Sequence, residues 1–160
     1  MSVILESSDS QKIEIPRNRI SPLSLLIREI LEDSNENQNT IPIPYEYYLL
    51  NKVIEFCEYY SNNPHNFDIN YINTSDINKL IPEWYCKFVD IDTEYLLKLI
   101  NLSDYLNIDP LIDLLTLKVA TLIKGKTPQE IRDILLIEDD TDSEDKEEFM
   151  LAHNWIKYVF

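Results

Sequence analysis

The chain has 160 residues, 44% of them hydrophobic and 27% charged, a length that suits one domain with a sizeable core and a composition unlike that of a disordered protein. Its formal charge of −15 repels phosphate backbones and anionic lipid, and its densest basic spot is only Lys124 and Lys126, so neither nucleic acid nor a membrane surface is expected as a partner. A basic protein surface is compatible with that charge, and so is plain solubility.

The single glycine, Gly125, disfavours architectures rich in tight hairpins, so helices should dominate. Val3 to Ser7 reads as a first strand and Lys12-Ile13-Glu14-Ile15 as a second, alternating with period two across a polar turn. Ser21-Pro22 predicts a helix start, with Ser as N-cap and Pro at the first helical position, followed by Leu23, Leu26, Ile27, Ile30 and Leu31 at helical spacing. Glu32 to Asn39 reads as an exposed loop. Ile41-Pro42-Ile43-Pro44 must be extended, as on a sheet edge, because each proline biases its predecessor away from helix. Tyr45 to Tyr60 predicts a helix with Leu49, Leu50, Val53, Ile54 and Cys57 on one side.

The Asn-rich stretch Ser61 to Asp76 is a long loop, an insertion or a functional segment, and Ile81-Pro82-Glu83-Trp84 opens a further short element. Asp92 should cap a helix to about Leu106, with Leu96, Leu97, Ile100 and Tyr105 among its apolar positions. Asp109-Pro110 starts another, carrying Leu111, Ile112, Leu115, Val119, Leu122 and Ile123. That helix stops at Gly125, and Thr127-Pro128-Gln129-Glu130 is a capping box for a short helix with Ile131, Ile134 and Leu135. Thr141, with Glu144 three residues on, should open a last helix through Trp155.

No catalytic constellation emerges, and no cofactor is expected. His65 lies in the Asn-rich loop and His153 in the last predicted helix, each without a Cys or Ser near it in sequence. The acidic run Glu138 to Asp145 alternates like a calcium loop, but Asp145 stands where such a loop needs glycine. Cys57 and Cys86 lie far apart with no CxxC, which argues against a disulfide framework or a zinc ribbon; Cys57 reads as core packing, and Cys86 has no assigned role. The start, Met1-Ser2-Val3-Ile4-Leu5-Glu6, has neither a basic nor an apolar signal region, and no apolar run approaches membrane-spanning length, so cytoplasm or nucleus is the expected compartment.

Several segments, in order and over nearly the whole chain, resemble the Skp (S-phase-kinase-associated) adaptor family. They are Ile4-Leu5-Glu6-Ser7-Ser8-Asp9, Leu31-Glu32-Asp33, Ile41-Pro42-Ile43-Pro44, Lys52 to Cys57, Ile81-Pro82 with Trp84, and Asp104 to Ile108. The most specific is Ile123-Lys124-Gly125-Lys126-Thr127-Pro128-Gln129-Glu130-Ile131-Arg132, nearly identical to the family's own stretch; Asn154-Trp155 matches its C-terminal end.

The resemblance implies a mostly helical α+β chain. Residues 1–108 would be a BTB/POZ-like cullin-docking domain with a small N-terminal sheet and an inserted loop at 61–80. Residues 109–160 would be a C-terminal helical F-box-binding extension. It implies a non-catalytic adaptor of a Skp–cullin–F-box E3 ubiquitin ligase, with cullin contact through Asp104 and Tyr105. The implied F-box surface includes Val119, Ile123, Pro128, Ile131 and Trp155. The apolar terminus Trp155 to Phe160 also suits a partner surface. An uncovered apolar strip containing Val119, Ile123 and Trp155 is therefore expected, and its burial in a lone protomer would count against the adaptor assignment. The region after Leu136 is expected to be mobile, or to form a homodimer through the C-terminal helices, when no F-box protein is bound. Among the departures from the family, Ser10 replaces its hairpin glycine, and Asp104 replaces the asparagine before Tyr105. The second motivates an alternative, a decoy or regulator that binds F-box proteins without productive cullin docking.

Overall fold

The structure is a computed structural model that describes residues 1–34, 40–68, 72 and 74–136. The chain forms two compact units that interleave along the sequence, residues 1–66 with 98–112, and residues 67–97 with 113–160. The boundary drawn from sequence at 108/109 falls inside the second segment of the first unit.

The first unit is built on a three-stranded sheet ordered β2-β1-β3, from β1 (Ser2–Glu6), β2 (Lys12–Pro16) and β3 (Thr40–Pro42). Period-two alternation puts Val3, Leu5 and Ile15 in the core, each at most 1% exposed. β1 and β2 pair antiparallel with Val3 opposite Ile15 and Leu5 opposite Ile13. β3 adds in parallel on the other side of β1, with Leu5 opposite Ile41. As an edge strand it tolerates its proline.

The β1–β2 turn is closed by backbone bonds from Ser7 N to Gln11 O (2.8 Å) and Ser10 N to Ser7 O (3.0 Å). It holds Ser10 at φ 61°, a left-handed conformation that a side chain disfavours. Glycine enters that region freely but loses more entropy on folding, so Ser10→Gly is expected to stabilise the chain by about 0.5–1 kcal/mol net, read as a higher urea midpoint.

Helix α1 is a single turn, Arg17–Ile20, and α2 spans Leu25–Asp33. The expected helix start at Ser21-Pro22 is corrected here. Ser21 is the αR residue that ends α1, and the α2 N-cap is Ser24, whose side chain accepts from Ile27 N at 3.2 Å. Glu32 and Asp33 are still helical, Ser34 is the α2 C-cap, and the rest of the expected loop, 35–39, lies outside the described residues. Helix α3 (Tyr47–Asn62) buries Leu49, Leu50, Val53, Ile54, Phe56 and Cys57, the predicted apolar side plus Phe56.

In the second unit the Asn-rich segment contributes Phe67, 4% exposed, whose ring meets Tyr85 edge-on at 5.0 Å. A 3₁₀ turn (Ile77–Lys79) capped by Asp76 leads to α4 (Glu83–Phe88), where Trp84 stacks on Phe88 at 5.3 Å. Helix α5 (Thr93–Leu106) begins in this unit, and Asp92 caps it as expected, its Oδ1 accepting from Tyr95 N at 2.8 Å. Helices α6 (Asp109–Ile123) and α7 (Pro128–Leu135) follow. Among the described residues no helix is long and apolar enough to cross a membrane. The expected helix from Thr141 through Trp155, His153 and the acidic run lie outside the described residues.

Candidate functional site

The end of α5 lies in the first unit. Its buried stripe runs through Leu99, Leu102, Ser103 and Leu106, at three- and four-residue steps. That leaves Asn101, Asp104 and Tyr105 on the exposed side, with Tyr105 41% exposed. The structure therefore presents the two expected cullin-contact residues together on an open helix face. It also supplies a neighbour that sequence reasoning missed. The Tyr45 ring lies 5.5 Å from that of Tyr105, tilted at 53°, and the Tyr45 hydroxyl donates to the Asn101 carbonyl at 3.4 Å. Nothing in the local pattern around Tyr45 signals a partner 60 positions away; it reads only as the first residue of the predicted helix, which in the structure starts two residues later at Tyr47.

The segment carrying Tyr45 is tied to the β1–β2 hairpin. Ile43 N donates to Glu6 O (2.8 Å), Ser8 N to Tyr45 O (2.9 Å), and Tyr47 N to Asp9 Oδ1 (3.0 Å). The Ser7 hydroxyl donates to the same carboxylate oxygen, which holds Asp9 below its ordinary pKa.

The second candidate surface is in α6 and α7. Gly125 ends the α6 segment at φ 72°, and Thr127 forms the predicted capping box: its Oγ1 accepts from Glu130 N (3.2 Å) while its own N donates to Glu130 Oε2 (2.9 Å). The Lys124 ammonium donates to the Ile72 carbonyl. The expected open apolar strip is not found here. Val119 is 2% exposed, Ile123 0% and Ile131 6%, and no residue from Pro110 to Lys124 is exposed. The physical reason is that α6 is apolar on more than one side. Leu111, Leu114, Leu115, Leu117, Val119, Ala120 and Ile123 are all buried, as in a helix enclosed on most faces. Of the four expected F-box residues that are described only Pro128 is exposed, on a turn open from Gly125 to Glu130, and Trp155 lies outside the described residues. Leu136, which ends α7 at φ 60°, is 60% exposed and was not anticipated.

Neither cysteine is set up for reaction. Burial pushes the Cys57 thiol up to about 12, and burial also raises Cys86, whose Sγ lies 3.5 Å from the Ile81 carbonyl. Among the described residues no group of three or more His, Cys, Asp or Glu could hold a metal ion.

Two family models match this chain. The Skp1 family tetramerisation domain covers residues 1–62, and the Skp1 family dimerisation domain covers residues 109–156. The chain belongs to the Skp1 family. Its mostly helical chain and small three-stranded sheet are a BTB/POZ-like α/β fold. Relatives named as the E3 ubiquitin ligase complex SCF subunit sconC match along almost the whole length. The Talaromyces marneffei protein is 36% identical over 157 residues, covering 96% of this chain and 95% of the relative. That of Emericella nidulans is 36% identical over 157 residues (96% and 94%), and that of Arthroderma benhamiae 34% over 154 (96% and 93%). In Skp1-family terms, Val119, Ile123, Pro128, Ile131 and Trp155 fall within the dimerisation-domain match, whereas Asp104 and Tyr105 fall between the two matches and rest on the full-length similarity.

Proposed function

We propose that this chain is a non-catalytic adaptor of a Skp–cullin–F-box ubiquitin ligase, acting in the cytoplasm or nucleus. The observation that carries it is the pair of Skp1-family matches at both ends, together with near-full-length similarity to named SCF subunits. It makes and breaks no bond. It raises the effective concentration of a bound substrate receptor beside the cullin-borne machinery.

In this proposal residues 1–108 dock the cullin through Asp104 and Tyr105, and residues 109–160 take the F-box protein. The exposed helix face at Tyr105 supports the first half, since tyrosine is a frequent interface anchor. For the second half, Pro128 offers direct contact, and Trp155 is its proposed companion from the C-terminal segment. Val119, Ile123 and Ile131 are buried in the chain by itself, so their part is to set the shape beneath Pro128 or to be uncovered on binding. The proposal therefore draws its support from family membership and not from an open apolar strip.

The test is a pull-down of the full chain with an F-box peptide and with a cullin N-terminal fragment. Both should bind at once. Binding to neither removes the proposal. Capture of the F-box peptide alone favours the decoy alternative, which the exposed carboxylate of Asp104 motivates; a gain in cullin affinity on Asp104→Asn would support that alternative further. Tyr105→Ala should weaken the cullin fragment by about tenfold, some 1.4 kcal/mol, with the F-box peptide unaffected by calorimetry.

A further inference from the structure

We propose that Tyr45 is a positioning residue for cullin docking, acting by holding the Tyr105 ring in one orientation. This rests on the adaptor proposal above and adds to it a residue that neither family match nor motif assigns a role.

Tyr105 stands on the open side of α5, where a lone aromatic side chain samples several rotamers. Tyr45 restricts that sampling. Its ring meets Tyr105 at 53° and 5.5 Å, a centroid separation within the range over which aromatic pairs attract. Its hydroxyl reaches the carbonyl of Asn101, one helical turn before Tyr105 on the same face. Tyr45 is itself held on a stiff support. Tyr45 N donates to Ile43 O at 2.8 Å, and Tyr45 O accepts from Ser8 N at 2.9 Å, so the backbone on which the ring stands is bonded on both sides. Those backbone bonds survive any substitution at this position except proline, which has no N–H to donate. Removing the ring should therefore free Tyr105 without dismantling the segment.

An anchor fixed before binding loses less rotamer entropy on binding. The loss expected from freeing Tyr105 is about fivefold in affinity, the size of immobilising one such side chain. Because Tyr45 acts through Tyr105, its effect should vanish once Tyr105 is gone, which separates positioning from an independent contact.

The experiment uses the full chain and a recombinant cullin N-terminal fragment from Talaromyces marneffei, whose SCF subunit is 36% identical to this chain. Affinity is measured by calorimetry for wild type, Tyr45→Ala, Tyr45→Leu, Tyr45→Phe, Tyr105→Ala and the double alanine variant. Tyr45→Ala and Tyr45→Leu should each weaken binding about fivefold, and Tyr45→Phe, which keeps the ring, should stay within about twofold of wild type. The double variant should bind as Tyr105→Ala does. F-box peptide affinity and the urea midpoint should hardly move. Tyr45→Ala and Tyr45→Leu at wild-type affinity, or a double variant weakened additively, overturns the positioning role while Tyr105 remains the anchor. A wild-type chain that ignores the fragment, or a Tyr105→Ala variant that binds as well as wild type, overturns the cullin assignment itself and this proposal with it.

Discussion

Phe56→Ala is expected to destabilise the chain by about 3–5 kcal/mol. Phe56 is 0% exposed and sits among Leu50, Val53 and Cys57, each also 0% exposed, on the inward side of α3. Its ring stacks on Tyr60 at 5.2 Å and 22°. Deleting it removes the transfer energy of an aromatic side chain and leaves a void that α3, bonded along four turns, closes only in part. Urea unfolding followed by intrinsic fluorescence should show a lower midpoint with an unchanged slope, the signature of lost stability and not of an altered unfolded state. Phe56→Leu should cost less, about 1 kcal/mol, because most of the volume is retained. A loss below about 1 kcal/mol for the alanine variant would mean that this face of α3 is not core.

Features whose cause is local were legible in the sequence. The alternation of Val3, Leu5 and Ile15, the Asp92 cap, the αL stop at Gly125 and the Thr127–Glu130 box each need only a few neighbouring residues, and each stands where the residues predict it. Failures occur where a distant partner decides. Tyr45 and Tyr105 meet across 60 residues, and no periodicity encodes that meeting. The parallel pairing of β1 with β3 is likewise set by the whole unit.

Burial on α6 failed for a different reason. Helical spacing reports that Val119 and Ile123 are apolar, and it carries no information on whether the chain's own elements or another polypeptide cover them. Both side chains are covered within the chain, so the exposed Pro128 turn becomes the accessible part of that surface. The adaptor proposal rests on family membership, and whether the remaining residues are uncovered on binding is a question that the F-box peptide answers directly.

Ser24→Ala should cost about 2–4 kcal/mol, far more than a surface serine would. Ser24 is 0% exposed, and its hydroxyl has two tasks. It accepts from Ile27 N at 3.2 Å, capping α2, and it donates to the Leu106 carbonyl at 2.6 Å, joining positions 82 residues apart. Backbone contacts reinforce the junction, with Leu25 N donating to Asn107 O at 3.3 Å and Ser24 bridging to Ile108. Alanine loses the cap, worth about 1 kcal/mol, and leaves the last carbonyl of α5 without its partner in a dry site, worth a further 1–3 kcal/mol. This second task explains why the helix starts at Ser24 and not at Ser21-Pro22. Ser21 offers an equally good capping hydroxyl, but only Ser24 also satisfies the end of α5. Ser103 is the natural comparison. It is equally buried and donates to Leu99 O at 2.6 Å, but that carbonyl sits inside α5 and keeps its helical partner, so Ser103→Ala should cost about 1 kcal/mol or less. Amide exchange supplies the local check, since the Ile27 amide should exchange faster in Ser24→Ala and not in Ser103→Ala. Equal losses for the two variants would show that the link to Leu106 adds nothing beyond an ordinary buried hydroxyl.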